Sequence, residues 1–356
     1  MKISLRYTPA MTLVASVLIT TACGDRSGTP EQPGATLSRA STAQAVAEQA
    51  DPMVPDRVAP ASATMDSDDA DDAIRSAPAL SEAAETIRVN GTPLPFRTWH
   101  HLAMPGETVT FDADAPVRLE IDGEAIDEAG ERVEWTAPGE AGAHEVRLVD
   151  GTGEVRVLSL FVLEPLNGRE IVEGYRIGEY PQNTPEGLIR LNEGDLDLPV
   201  SPSFTIGQFI CKQQPGHWPK FVLVTGNMLR RLEAVLAELN ADDLSDADSL
   251  FVMSGFRTPY YNTAIRSARL SRHMYGDAAD IYPDVVGNDS VMDDLNGDGR
   301  ITRADAEFLY DYAEDLFAAK NLPEGGIGAY DANAIHGPFV HIDGRGTRAR
   351  WGRFGS

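Results

Sequence analysis

The stretch Ser271-Arg272-His273-Met274-Tyr275-Gly276-Asp277-Ala278-Ala279-Asp280 decides how the C-terminal half of this chain is read. It sets a histidine and a carboxylate seven residues apart, across a glycine and two alanines. Small residues let the backbone pass close to a bound ion, and a strand starting near Ala279 aims Asp280 at one face. Sixty-one residues further on, Phe339-Val340-His341-Ile342-Asp343 places a second histidine among apolar β-formers, as suits a ligand on a strand. Two imidazoles and one carboxylate match the donor set of zinc with one position left open. The same residues also suit a core histidine and an aspartate held by loop hydrogen bonds, and their spacing alone does not decide between the two.

More motifs lie around this one. Ser254-Gly255-Phe256-Arg257-Thr258-Pro259 precedes it, and Gly326-Ile327-Gly328-Ala329-Tyr330 and Arg350-Trp351 flank the second histidine. Ser271, His273, Gly276, Ala278 and Asp280 together resemble the Ser-x-His-x-x-Gly-x-Ala-x-Asp signature of D-alanyl-D-alanine metallopeptidases and murein endopeptidases. That group is related to lysostaphin and the hedgehog domain. The resemblance covers roughly residues 170–353. It implies zinc on His273, Asp280 and His341, peptidoglycan stem peptides as substrate, and Arg257 as a grip on a substrate carboxylate. His336 matches a histidine that the resemblance implicates in catalysis. Many relatives carry a Glu shortly before the last histidine, but Pro338 stands three residues before His341 here. The general base is therefore open between His336 and Asp343. A peptidase-like fold retained as a non-catalytic peptidoglycan-binding lipoprotein is the competing reading.

Between the two halves of the zinc motif, residues 294–305 follow an EF-hand loop. Asp294, Asn296, Asp298, Thr302 and Asp305 put oxygen side chains at positions 1, 3, 5, 9 and 12, with Gly299 at position 6. Arg300 would offer its carbonyl. Asp rather than Glu at position 12 resembles the dockerin type, and the expectation is a structural calcium ion.

The remaining chain sets the context. Thr225 to Asn240 repeats apolar residues at helical spacing, and Leu250–Ser254, Ala279–Tyr282 and Phe339–Ile342 read as strands. Residues 165–356 are thus expected to be an α+β zinc peptidase domain, a small antiparallel sheet flanked by helices. Residues 86–164 alternate apolar and polar in short runs separated by turns such as Asn90-Gly91 and Asp150-Gly151, predicting a small antiparallel, Ig-like β-sandwich. His100 and His101 read as loop histidines. Residues 23–85 are rich in Ala, Ser, Pro and Asp and predict a disordered acidic linker. Residues 1–22 read as a signal peptide, with Lys2 and Arg6 before a short apolar run. Cys23, after Thr20-Thr21-Ala22, resembles a lipidation site, which implies an exported lipoprotein anchored to a membrane and facing the periplasm or wall. The net charge of −25 argues against a nucleic-acid partner.

Overall fold

The computed structural model describes residues 87–126 and 129–353. The expected signal peptide, Cys23 and the linker lie outside the described residues. Eight strands build the N-terminal part: β1 (Ile87–Val89), β2 (Thr92–Pro93), β3 (Thr98–Ala103), β4 (Thr108–Ile121), β5 (Glu124–Ala125), β6 (Gly130–Thr136), β7 (Gly142–Val149) and β8 (Val155–Val162). Their organiser is β4. Its first half pairs with β1 and β6, its register shifts between Asp112 and Val117, and its second half pairs with β5 and β7. One bent strand thus serves two sheets, a common way of turning a sandwich corner. Sequence alternation marks Thr108–Phe111 and Val117–Ile121 as separate runs, and the structure joins them into one strand. Val109, Phe111, Val117, Leu119 and Leu148 are buried between the sheets. A second correction concerns β3. It was expected to be loop, but it is a strand, and it pairs parallel with β8.

The expected boundary at residues 164 and 165 falls on β9 (Glu164–Pro165), which pairs with β12 (Gly187–Leu191). Between and after them come the hairpin strands β10 (Ile171–Val172) and β11 (Tyr175–Arg176), then β13 (Pro199–Ser201), β14 (Phe204–Thr205) and β15 (Lys220–Val222). The described residues belong to one compact unit, and buried side chains run without a break from the sandwich into the C-terminal part.

The C-terminal part is α+β. Helices α1 (Gly226–Ala241), α2 (Pro259–Ala264) and α3 (Arg303–Ala319) accompany a five-stranded sheet. Its strands are β16 (Phe251–Ser254), β17 (Ala278–Tyr282), β18 (Gly326–Tyr330), β19 (Phe339–Asp343) and β20 (Ala349–Trp351), in the order β16-β17-β19-β18-β20. The pairings are antiparallel except β18 with β20. Because side chains alternate across a strand, Ile281, Val340, Ile342, Ile327 and Ala329 share one buried face, and α1 and α3 contact this sheet. Burying a side chain of this size stabilises the fold by roughly 1.5–3 kcal/mol. The opposite face is different. Its central row, read across the sheet, is Ser254, Asp280, His341, Gly328 and Trp351. Among the described residues no helix is long and apolar enough to cross a membrane.

Candidate metal centre

Asp280 and His341 are direct cross-strand partners, so antiparallel pairing of β17 with β19 alone brings two candidate ligands together. His273 arrives from a 3-10 turn, Arg272–Tyr275, that ends on Gly276 at φ +68°. Only glycine suits that position: besides the left-handed backbone, a Cβ there would lie 2.4 Å from the Leu223 carbonyl. All three side chains are buried.

The protons of the site can be assigned from its partners. His273 Nδ1 lies 2.7 Å from the Gly255 carbonyl oxygen, which can only accept, so Nδ1 carries the hydrogen. His341 Nε2 lies 3.2 Å from Asp343 Oδ2 and donates to it. The remaining nitrogens, His273 Nε2 and His341 Nδ1, therefore present lone pairs. They face each other at 3.1 Å, and Asp280 Oδ1 lies 2.9 Å from His341 Nδ1 and 3.3 Å from His273 Nε2. With both rings neutral three lone pairs converge, and a cation shared among them, a proton or a metal ion, makes the arrangement favourable. Tetrahedral zinc with bonds of about 2.0–2.1 Å separates its ligand atoms by about 3.3 Å. The donor set and the spacing both fit. Among the described residues, His273, Asp280 and His341 are the grouping of histidine, cysteine and carboxylate side chains close enough to share an ion.

The surrounding groups hold these ligands in place. Arg257 is buried, and its Nη2 donates to Asp280 Oδ2 at 2.6 Å while Nε donates to Ser254 Oγ and Nη1 to Ser267 Oγ. The guanidinium of Arg257, expected as a grip on a substrate carboxylate, thus lies against the candidate metal ligand Asp280. Burial opposes the charge on Asp280, but without a metal ion the positive charge of a protonated His273 and that of Arg257 outweigh it and hold the carboxyl well below the usual range. Asp343, the alternative base, is also buried. It accepts from His341, from the Gly326 N–H at 2.8 Å and from Arg345 Nε at 2.9 Å. Burial again opposes its charge, and the hydrogen bonds from His341 and Arg345 again win, so its carboxyl sits well below the usual range. As the partner of His341 Nε2, this carboxylate suits the role of orienting that ring. Arg345 was not singled out in the sequence; its proximity to Asp343, two residues earlier, was the available signal.

His336 does not enter the cluster. Half-buried, it packs against Phe339 at 4.9 Å between ring centres, with Nδ1 2.7 Å from the Gly337 carbonyl and Nε2 2.7 Å from Asn333 Nδ2. Phe339 shares a strand face with His341, so His336 stands beside the metal-ligand face. Trp351 closes the other side, its ring 5.1 Å from that of His341 and its Nε1 donating to the Tyr330 hydroxyl at 2.8 Å. Gly328 makes this possible, since a Cβ there would meet the indole at 2.2 Å.

The loop 294–305 behaves differently. Asp294 accepts the N–H groups of Gly297, Asp298 and Gly299, and Asn296 and Asp298 accept those of Asp298 and Arg300. Asp305 is buried and accepts from Leu295, Asn296 and Thr302, while the Thr302 side chain caps α3. Its three carboxylates do not gather as the zinc ligands do. The sequence pattern for calcium is present, without a metal-like cluster.

Residues 207–295 match a family described as Peptidase M15. The match includes Arg257, His273 and Asp280 but stops short of His341, which the fold supplies. No curated protein and no solved structure matches. The family match and the His-Asp-His cluster together support a zinc peptidase.

Proposed function

We propose that this chain is a zinc-dependent peptidoglycan peptidase, hydrolysing an amide bond of the murein stem peptide or cross-link. The observation that carries the reading is the convergence of three buried lone pairs whose ring protons are directed outward to Gly255 and Asp343. When bound, zinc supplies Lewis-acid polarisation of the scissile carbonyl. The chain's own residues position and exclude. Arg257 fixes Asp280 so that Oδ1 faces the cluster, Asp343 and Arg345 fix His341, and Trp351 shields one side from water. His336, at the edge of the face, takes or gives the proton of the reaction. The N-terminal signal and Cys23 would deliver this domain to the outer side of a membrane as a lipoprotein. For residues 294–305 the proposal is a structural calcium ion, supported by the oxygen-bearing side chains at positions 1, 3, 5, 9 and 12 of the loop pattern.

The decisive experiment is mass spectrometry of muropeptides before and after digestion, with and without chelator, beside metal analysis. Released D-Ala marks a carboxypeptidase and split dimers mark an endopeptidase. A His273→Ala protein that keeps full cleavage sinks the metal reading. Zinc binding with no cleavage favours the non-catalytic wall-binding alternative.

A further inference from the structure

One short segment, Val224–Met228, joins three parts of the molecule. On one side it meets the sandwich. Gly226 opens α1 beneath Trp99 of β3, and a Cβ on it would lie 3.0 Å from the indole. The neighbouring His100 is fully buried; burial pushes it down to about 4 and its Nδ1–H donates to the Val200 carbonyl of β13 at 2.8 Å. Ser159 of β8 donates to the Pro199 carbonyl at 2.6 Å. On the other side the segment meets both metal-bearing stretches. The Thr225 N–H donates to the Gly276 carbonyl at 2.9 Å, in the turn between His273 and Asp280. A Cβ on Gly344, which follows Asp343, would lie 2.7 Å from the Met228 nitrogen. The two stretches are also tied to each other, Gly344 N–H donating to the Asp277 carbonyl at 2.8 Å.

We propose that the sandwich is a brace of the metal centre: Trp99 is a positioning residue that sets the start of α1, and α1 in turn sets the separation of His273 from His341. The proposal rests on the zinc reading of the site and adds a domain to it. Metal affinity depends on ligand atoms held to a few tenths of an ångström, and supporting contacts beyond the ligands are typically worth about 10–100-fold in affinity. The three close approaches at Gly226, Gly276 and Gly344 leave no slack through which a shift at Trp99 would be absorbed. Coupling of this kind is reciprocal, so zinc must in turn tighten the sandwich contact.

The test uses the full chain and needs no variant to begin. Hydrogen exchange is measured on the wild type with and without zinc. Added protection in residues 98–103 and 199–201, besides the ligand stretches, supports the brace, and protection confined to residues 255–345 overturns it. Zinc affinity by chelator competition is then measured for Trp99→Ala, Trp99→Phe and Val109→Ala. Trp99→Ala is expected to lose roughly tenfold, and Trp99→Phe to recover most of it. Val109→Ala, buried in β4, which does not pair with β3, is expected to lower the melting temperature and leave zinc affinity unchanged. Equal affinity for Trp99→Ala and wild type overturns the brace while leaving the zinc reading intact. A wild type that binds no zinc overturns both.

Discussion

Two stretches of this chain carry metal-binding patterns, and they fold into different things. In the 294–305 loop the oxygens of Asp294, Asn296, Asp298 and Asp305 accept hydrogen bonds from the loop's own N–H groups. In the five-stranded sheet, His273, Asp280 and His341 turn their lone pairs toward one point, and their protons point away to Gly255 and Asp343. Both patterns have the right residue types at the right spacing. What separates them is geometry: the three side chains on the sheet gather close enough to share one ion, whereas the loop's three carboxylates do not.

The comparison can be broken most forcefully at the ligands. His341→Ala is expected to abolish stoichiometric zinc and lower kcat/KM on muropeptides about a thousandfold or more, the scale of losing several kcal/mol of Lewis-acid stabilisation; metal analysis and kinetics check it. Next in size is Asp343→Asn, which leaves a neutral amide beside His341 Nε2 and is expected to weaken zinc about 10–100-fold, measured by chelator competition.

The same carboxylate gives a pH dependence. Its folded pKa lies below the unfolded value of about 3.9. The stability it contributes is therefore fully present above that value and lost as pH falls toward the folded pKa. The stability difference between wild type and Asp343→Asn, followed by urea melts with zinc absent, should be greatest above about pH 4 and narrow in stronger acid. The smallest effect belongs to the loop. Calcium is expected to raise the melting temperature by a few degrees, about what 1 kcal/mol produces in a domain of this size, and Asp294→Ala to remove the rise. A larger response to calcium than to zinc would reverse the ranking of the two sites.

Much of the centre was legible in the sequence because its ligands sit in local motifs. His273 and Asp280 share one short stretch, and His341 lies in an unmistakable strand. Apolar periodicity reads helices at 225–240 and 306–319, close to the observed 226–241 and 303–319, while the capping pair of Thr302 and Asp305 emerges only in the structure. What was not legible depended on contacts remote in sequence. The bond from Arg257 to Asp280 spans 23 residues and no local pattern announces it. Thr98-Trp99-His100-His101-Leu102-Ala103 lacks alternation because both its faces are largely covered, one by the sandwich and one by the C-terminal part. The bend in β4 carries a proline, which as a sequence signal means an end, yet pairing resumes beyond it.

Gly328 has a use outside catalysis. By leaving room for the Trp351 indole beside His341, it places a fluorophore about one ring's width from the metal ligands. Of the four tryptophans in the chain, this one shares a sheet row with Asp280 and His341. Zinc binding beside this ring is therefore expected to change its emission, a label-free measure of occupancy of the centre.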